Sequence, residues 1–207
     1  MLRPSDPRAA ILAGGLATRM HGRNKALIEV DGRAILDRQL DALGARFAPG
    51  AVVAVVAAGA GDDAAAPFAA RGLAVVRDRE GGQGPLAGLA AALAWADGAL
   101  LFALACDMPS VDPRVIALIL DRACAAHADL ALPVADGRAQ PLCACYSARC
   151  APLIERQLAA GQRRASALPD AARAAGLIVE VIEAEELRTV DPDLRSFVNV
   201  NSPSDAT

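Results

Sequence analysis

The chain has 207 residues, 54% hydrophobic and 22% charged, which excludes a disordered or low-complexity chain and suits one domain over residues 1–207. Its 21 basic and 24 acidic side chains give a net charge of -3, so no basic surplus exists to neutralise a long run of nucleic-acid phosphates. The longest apolar stretches, residues 51–61 and 84–96, are well short of the ~20 residues that cross a membrane as a helix.

Near the start, Pro4, Asp6 and Pro7 stand where a secretory signal would carry an apolar core, which predicts a cytoplasmic protein. Five cysteines, an odd number, fit a reducing compartment. Cys143-x-Cys145 with Cys150 lacks the paired C-x2-C spacing of zinc sites, so these thiols read as small buried hydrophobes.

A first apolar run, residues 9–12, predicts a strand and leads into a glycine-rich loop from Leu12 to Lys25. Gly14, Gly15 and Gly22 let backbone N–H groups approach an anion, and Arg19 and Lys25 can neutralise a polyphosphate. The loop is neither a Walker A sequence nor G-x-G-x-x-G. A helix is predicted at residues 34–45, then strands at 51–57 and 73–76, the second delivering Asp78 either to a ligand or to a turn.

Gly82-Gln83-Gly84-Pro85-Leu86-Ala87 satisfies G-x-G-x-x-A, as a dinucleotide-binding turn would. Residues 77–82 nevertheless separate it from the preceding strand, and Asp107, in the place of a ribose-binding acid, ends the very next one. Pro85 suits the first turn of a helix over residues 85–95. The wholly apolar run at 99–105 predicts a buried strand that carries Asp107 to the carboxyl edge of a sheet, where open α/β sheets bind ligands. One carboxylate beside a phosphate-binding loop suits Mg2+, which completes its shell with substrate phosphate oxygens.

Asp112 and Pro113 predict the cap and first turn of a helix over residues 113–126, with His127 structural at its end. Strands at 130–134 and 142–146 are joined by Asp136-Gly137-Arg138, a hairpin signal that predicts one antiparallel strand in an otherwise parallel sheet. A helix at 151–160 and strands at 177–182 and 197–200 complete the alternation.

These segments together resemble the molybdenum cofactor guanylyltransferases. The resemblance rests on Leu12-Ala13-Gly14-Gly15-x3-Arg19-Met20 with Lys25, Gly84-Pro85-Leu86-Ala87-Gly88, and Cys106-Asp107-x-Pro109. Pro141-Leu142 before Tyr146 and Phe197-Val198-Asn199-Val200-Asn201-x-Pro203 extend it in family order over nearly the whole chain. It implies a Rossmann-like nucleotidyltransferase fold, three-layer α/β/α with a mostly parallel mixed sheet. The implied reaction transfers GMP from Mg-GTP to molybdenum-molybdopterin and releases pyrophosphate, with molybdoenzymes or their chaperones as clients.

The resemblance also implies site roles. Leu12, Ala13, Gly14, Gly15, Asp78, Gly84, Pro85, Leu86 and Gly88 would line the nucleotide, Arg19 and Lys25 would meet its phosphates, and Asp107 would hold Mg2+. Arg163, Arg164, Asn199 and Asn201 would lie on the pterin side, the arginines having solvated helix-end positions as the alternative. His21, Asn24 and the end at Thr207 depart from the family pattern. A cytidylyltransferase of the same cofactor, a sugar-phosphate nucleotidyltransferase and a non-catalytic carrier of the cofactor are the competing readings.

Overall fold

The structure is a computed structural model that describes residues 6–13, 25–79 and 84–200. Its frame is a sheet with strand order β10-β7-β9-β6-β1-β4-β5, built from β1 (Arg8–Leu12), β4 (Val52–Val56), β5 (Ala74–Arg77), β6 (Leu101–Ala105), β7 (Leu130–Ala135), β9 (Cys143–Tyr146) and β10 (Val179–Ile182). Every position of β4 and β6 is buried, because their valine, alanine and leucine side chains suit a strand covered on both faces.

Two helical layers provide that cover. On one face, α1 (Ile35–Gly44), α2 (Asp62–Ala69), α4 (Pro113–Ala125) and α7 (Ala184–Arg188) contribute Leu36, Leu43, Phe68, Ile116, Ile119 and Leu187 to a core shared with Ile11, Ala54 and Phe102. On the other, α3 (Pro85–Ala96), α5 (Ala151–Ala159) and α6 (Leu168–Ala174) pack Leu86, Leu89, Leu153 and Leu168 against Val53, Val55 and Ala103. The result is the three-layer α/β/α arrangement with a mostly parallel mixed sheet.

β9 is antiparallel to both neighbours, β6 and β7. The Asp136-Gly137 signal does close a hairpin: both residues have positive φ, 49° and 71°, as a type I′ turn requires. The hairpin pairs β7 with a two-residue strand, β8 (Arg138–Ala139), before the chain turns into β9. Asp31-Gly32, with φ of 52° and 74°, makes the same turn between β2 (Glu29–Val30) and β3 (Arg33–Ala34).

Residues 197–200 do not form the expected strand. A 3-10 turn at Arg195–Phe197 follows Leu194, whose φ is 54°, and the backbone N–H groups of Phe197 and Val198 bond locally to Leu194 and Arg195. Val200 then leaves for a small apolar cluster with Ile28 and Ile35. The alanine-rich α2 was invisible as a pattern for a physical reason: Phe68 alone among its residues is buried, so no apolar stripe exists.

Candidate active site

The parallel strands β1, β4, β5 and β6 bring their carboxyl ends to one edge of the sheet, and the candidate site lies there. Beyond β6 the chain enters a turn carrying Asp107, whose shape is set by hydrogen bonds from four directions. Ala105 N–H donates to Leu142 O at 2.8 Å, Cys106 N–H to Leu12 O at 3.2 Å, and Val200 N–H to Asp107 O at 2.8 Å. From α1, the fully buried Gln39 donates its amide Nε2 to Ala105 O at 2.8 Å and to Met108 O at 3.0 Å. Its neighbour Arg38 donates Nε to Pro109 O at 2.9 Å.

The Asp107 carboxylate is thereby held with one oxygen, Oδ2, 3.6 Å from Lys25 Nζ. These side chains are 21% and 32% exposed, so the pair is open to a ligand from the solvent side. The other oxygen, Oδ1, is buried and has no hydrogen-bond partner among the described residues. A buried carboxylate oxygen without a donor is normally compensated, which suits an added cation at this position. Among the described residues no group of three or more His, Cys, Asp or Glu could hold a metal alone. Such a site fits Mg2+, which is content with one or two protein carboxylates when phosphate oxygens supply the rest.

Lys25 opens a short 3-10 turn, Lys25–Leu27, anchored by the fully buried Ala26 and by the Ile28 N–H bond to Lys25 O at 3.1 Å. Cys106, beside Asp107, has its thiol pushed up to about 12, first by burial and then by the Asp107 charge, so it is a neutral packing group. Cys143 and Cys145 join the core on one face of the sheet and Cys150 the core on the other, so they cannot converge on a zinc ion.

Asp78 stands at the end of β5. Its Oδ1 accepts Ala58 N–H at 2.7 Å and its own N–H donates to Val56 O at 3.0 Å, so it ties together the ends of β4 and β5. Gly84 caps the start of α3 with φ of 73°; a Cβ there would lie 2.9 Å from Arg163 O. Close approach of the Arg163 backbone, in a left-handed conformation, explains the glycine. Among the described residues no side chain caps α3, and its first amides have no intrahelical partner. On the opposite flank, Arg138, Gln140, Asp193, Phe197 and Val198 line a hollow of about 290 Å3.

The comparisons decide among the readings. A family described as the MobA-like NTP transferase domain matches residues 9–175. The molybdenum cofactor guanylyltransferase of Desulfosudis oleivorans is 33% identical over 93% of this chain and 88% of its own. That of Acidiphilium cryptum is 36% identical over 97% of this chain and 92% of its own. This chain belongs to the molybdenum cofactor guanylyltransferases. It is an enzyme of the nucleotidyltransferase class. The crystal structure of molybdopterin-guanine dinucleotide biosynthesis protein A from Archaeoglobus fulgidus superposes with a TM-score of 0.76 at 28% identity, covering 96% of this chain and 94% of that one. Among the described residues no helix is long and apolar enough to cross a membrane.

Within this guanylyltransferase the structure brings Leu12, Ala13, Lys25, Asp78, Gly84, Pro85 and Asp107 to the carboxyl edge. Asn199 is exposed next to Val200, hence beside the Asp107 turn. Gly14, Gly15, Arg19 and Asn201 lie outside the described residues, as do His21 and Asn24. Two side-chain expectations need correction. Leu86 is fully buried in the core, and a Cβ on Gly88 would lie 3.8 Å from Leu12 and Val55, so both serve packing between α3 and the sheet. Any contact from Leu86 to a nucleotide falls to its backbone.

The arginine pair divides. Arg163 donates Nη1 to Leu158 O at 3.1 Å and to Gln162 O at 3.3 Å, closing the carboxyl end of α5 as a helix-end cation does. Arg164 is exposed, and its guanidinium makes no hydrogen bond or ion pair with the described residues. Gln39 was missed. Its signal was a polar residue on the buried stripe Ile35, Leu36, Gln39, Ala42 and Leu43 of α1, where an apolar side chain would be routine.

Proposed function

We propose that this enzyme transfers GMP from Mg-GTP to the terminal phosphate of molybdenum-loaded molybdopterin, forming the guanine dinucleotide cofactor and releasing pyrophosphate. The observation that carries the reading is the Asp107 carboxylate, paired on one oxygen with Lys25 and, on its buried other oxygen, without a partner among the described residues, at the edge where parallel sheets take nucleotides. Its relatives, molybdenum cofactor guanylyltransferases, support guanine and the molybdenum cofactor as its substrates.

Lys25, with Arg19, neutralises the nucleotide phosphates. The uncapped amides at the start of α3 suit an anion, and Gly84 and Pro85 shape the backbone that presents them. Leu12, Ala13, Gly14 and Gly15 serve the nucleotide, while Asp78 fixes the loop after β4. Arg164, Asn199 and Asn201 serve the pterin phosphate. Asp107 holds Mg2+, which when bound withdraws charge from the phosphates.

An oxygen of the pterin phosphate attacks the α-phosphorus of GTP, a new P–O bond forms, and the bond to the pyrophosphate oxygen breaks. The attacking phosphate is a monoester whose second pKa of about 6 leaves it largely dianionic at neutral pH, so no general base is required. Positioning and charge neutralisation supply the catalysis.

Pyrophosphate release is measured with each of the four nucleoside triphosphates, Mg2+ and loaded molybdopterin. Release with GTP well above the others is the expected result. Equal release with CTP would overturn the base assignment, and no release with any nucleotide would overturn the reaction in favour of cofactor carriage.

A further inference from the structure

We infer that Gln39 is a positioning residue for Asp107: by donating both hydrogens of its amide across the turn at residues 105–108, it sets where the Asp107 carboxylate stands and so how tightly the nucleotide-bound divalent cation is held. The inference rests on the reading of Asp107 as the metal-holding group.

The geometry is specific to the turn. Ala105 ends β6 and Met108 follows Asp107, so the two carbonyls that Gln39 takes, at 2.8 and 3.0 Å, bracket the residue they orient. One rigid amide group spans both, which fixes the distance between the end of the strand and the far side of the turn. Arg38 extends the clamp from the same helix to Pro109 O, and its Nη1 reaches Val30 O at 3.3 Å, tying β2 to the same point.

The other atom of the amide shows what the position is for. Gln39 Oε1 is buried and has no partner among the described residues, so the side chain carries an uncompensated polar atom into the core. A group kept for stability alone would be apolar at this place, since its neighbours on the stripe, Leu36 and Leu43, are fully buried hydrophobes. What the glutamine adds is the pair of bonds to the turn. Residues that orient a metal ligand from behind act on metal affinity.

The test compares Gln39→Met, which keeps the volume and removes both donors, with Asp107→Asn and with Leu43→Ala, which loosens the same helix without touching the turn. Two quantities are read: the Mg2+ concentration that half-saturates GMP transfer, with kcat taken at saturating Mg2+, and the affinity for Mn2+ in the presence of GTP, followed by the electron paramagnetic resonance signal of free Mn2+. Gln39→Met is expected to weaken Mn2+ binding and raise the Mg2+ requirement by roughly tenfold, with kcat largely recovered at saturation. Leu43→Ala is expected to lower the melting temperature and leave both metal readings at wild type. Should the methionine variant not fold, Gln39→Asn, which keeps the amide but falls short of the carbonyls, is read in the same way.

Wild-type metal affinity in the Gln39 variant, or an equal loss in Leu43→Ala, overturns the inference. Asp107→Asn separates this from failure of the underlying reading. If it weakens Mn2+ binding while the Gln39 variant does not, the metal site stands and the positioning role falls. If it leaves Mn2+ binding unchanged, the assignment of the metal to Asp107 fails, whatever the Gln39 variant does.

Discussion

Asp107 leaves the carboxyl end of β6, and Asp129 leads into the amino end of β7; since both strands run antiparallel to β9, the two carboxylates sit at opposite edges of one sheet. Asp129 is saturated. Its Oδ1 accepts the Ser147 hydroxyl at 2.8 Å, and its Oδ2 accepts Arg149 Nη1 at 3.0 Å and Ile178 N–H at 3.0 Å. Those bonds join the end of β9 to the start of β10, and the side chain is 4% exposed. Asp107 has a single cation 3.6 Å away and a buried oxygen with no donor among the described residues. A fold can therefore fill the valences of an aspartate to fasten strands, or leave them open and brace the backbone beneath for a ligand.

The comparison breaks first at Asp107. Asp107→Asn keeps the shape and removes the charge, so transfer at ordinary Mg2+ is expected to fall by about 10²–10³-fold, the range for loss of one preorganised electrostatic contact. The Mg2+ requirement should rise while the denaturation midpoint stays near wild type, because among the described residues the carboxylate has only the partly exposed Lys25 ammonium beside it. Wild-type turnover at ordinary Mg2+ would move the ion to another group, with Asp78, at the end of β5, the first to be tested.

Lys25→Ala tests the partner. A fall of roughly 10²-fold in turnover with little change in melting is expected, since the ammonium is partly exposed and its turn is anchored by Ala26 instead. A variant that melts early yet turns over normally per folded molecule would make Lys25 structural.

Asp129→Ala should invert the pattern. Removing the carboxylate leaves the Ile178 N–H and the Ser147 hydroxyl short of an acceptor in a partly buried setting, and a loss of about 1–3 kcal/mol of stability is expected by denaturant unfolding. Transfer per folded molecule should be unchanged. A loss of activity without a loss of stability would remove the contrast between the two edges.

The Asp107 half of this contrast was legible in the sequence, and the reason is local. The run at residues 99–105 announces a buried strand, and a strand of known direction delivers the next acid to a known edge. Asp136-Gly137 announces its hairpin because few other dipeptides tolerate two positive φ angles. The same dipeptide at Asp31-Gly32 carried an equal signal, but its flanking strands are only two residues long and show no alternation.

What stayed illegible depends on contacts between distant segments. Gln39 has a role only because a turn 66 residues away packs on α1. The Arg163 pair partner, Gly84, is explained by a backbone approach that no local pattern encodes. The segment at 197–200 looked like a strand by composition, yet it ends in the Ile28 and Ile35 cluster and spends its Val200 N–H on Asp107 O.

The smallest expected effect belongs to a third carboxylate, Asp37, which lies on α1 two residues before Gln39 and faces outward. Arg71 donates Nε to its Oδ1 at 2.5 Å and Nη2 to its Oδ2 at 2.9 Å, joining α1 to the end of α2, where Arg71 Nη1 also meets Pro67 O. The Arg71 hydrogen bond holds the Asp37 carboxyl below the ordinary carboxylate range. A lowered folded-state pKa stabilises the protein above the unfolded value of about 3.9, and that stabilisation is lost as pH falls through the folded value. The pair is 40% and 28% exposed, so solvent screening limits its contribution at neutral pH to less than ~1 kcal/mol. Asp37→Asn should therefore melt slightly early at pH 7, with the difference from wild type closing as the solution is acidified below pH ~4. Its Mg2+ requirement should match wild type, because the Asp37 carboxylate bonds to Arg71 and to none of the described residues of the Asp107 turn. A shifted Mg2+ requirement would mean that the placement of the whole helix, and not the Gln39 amide, governs the site.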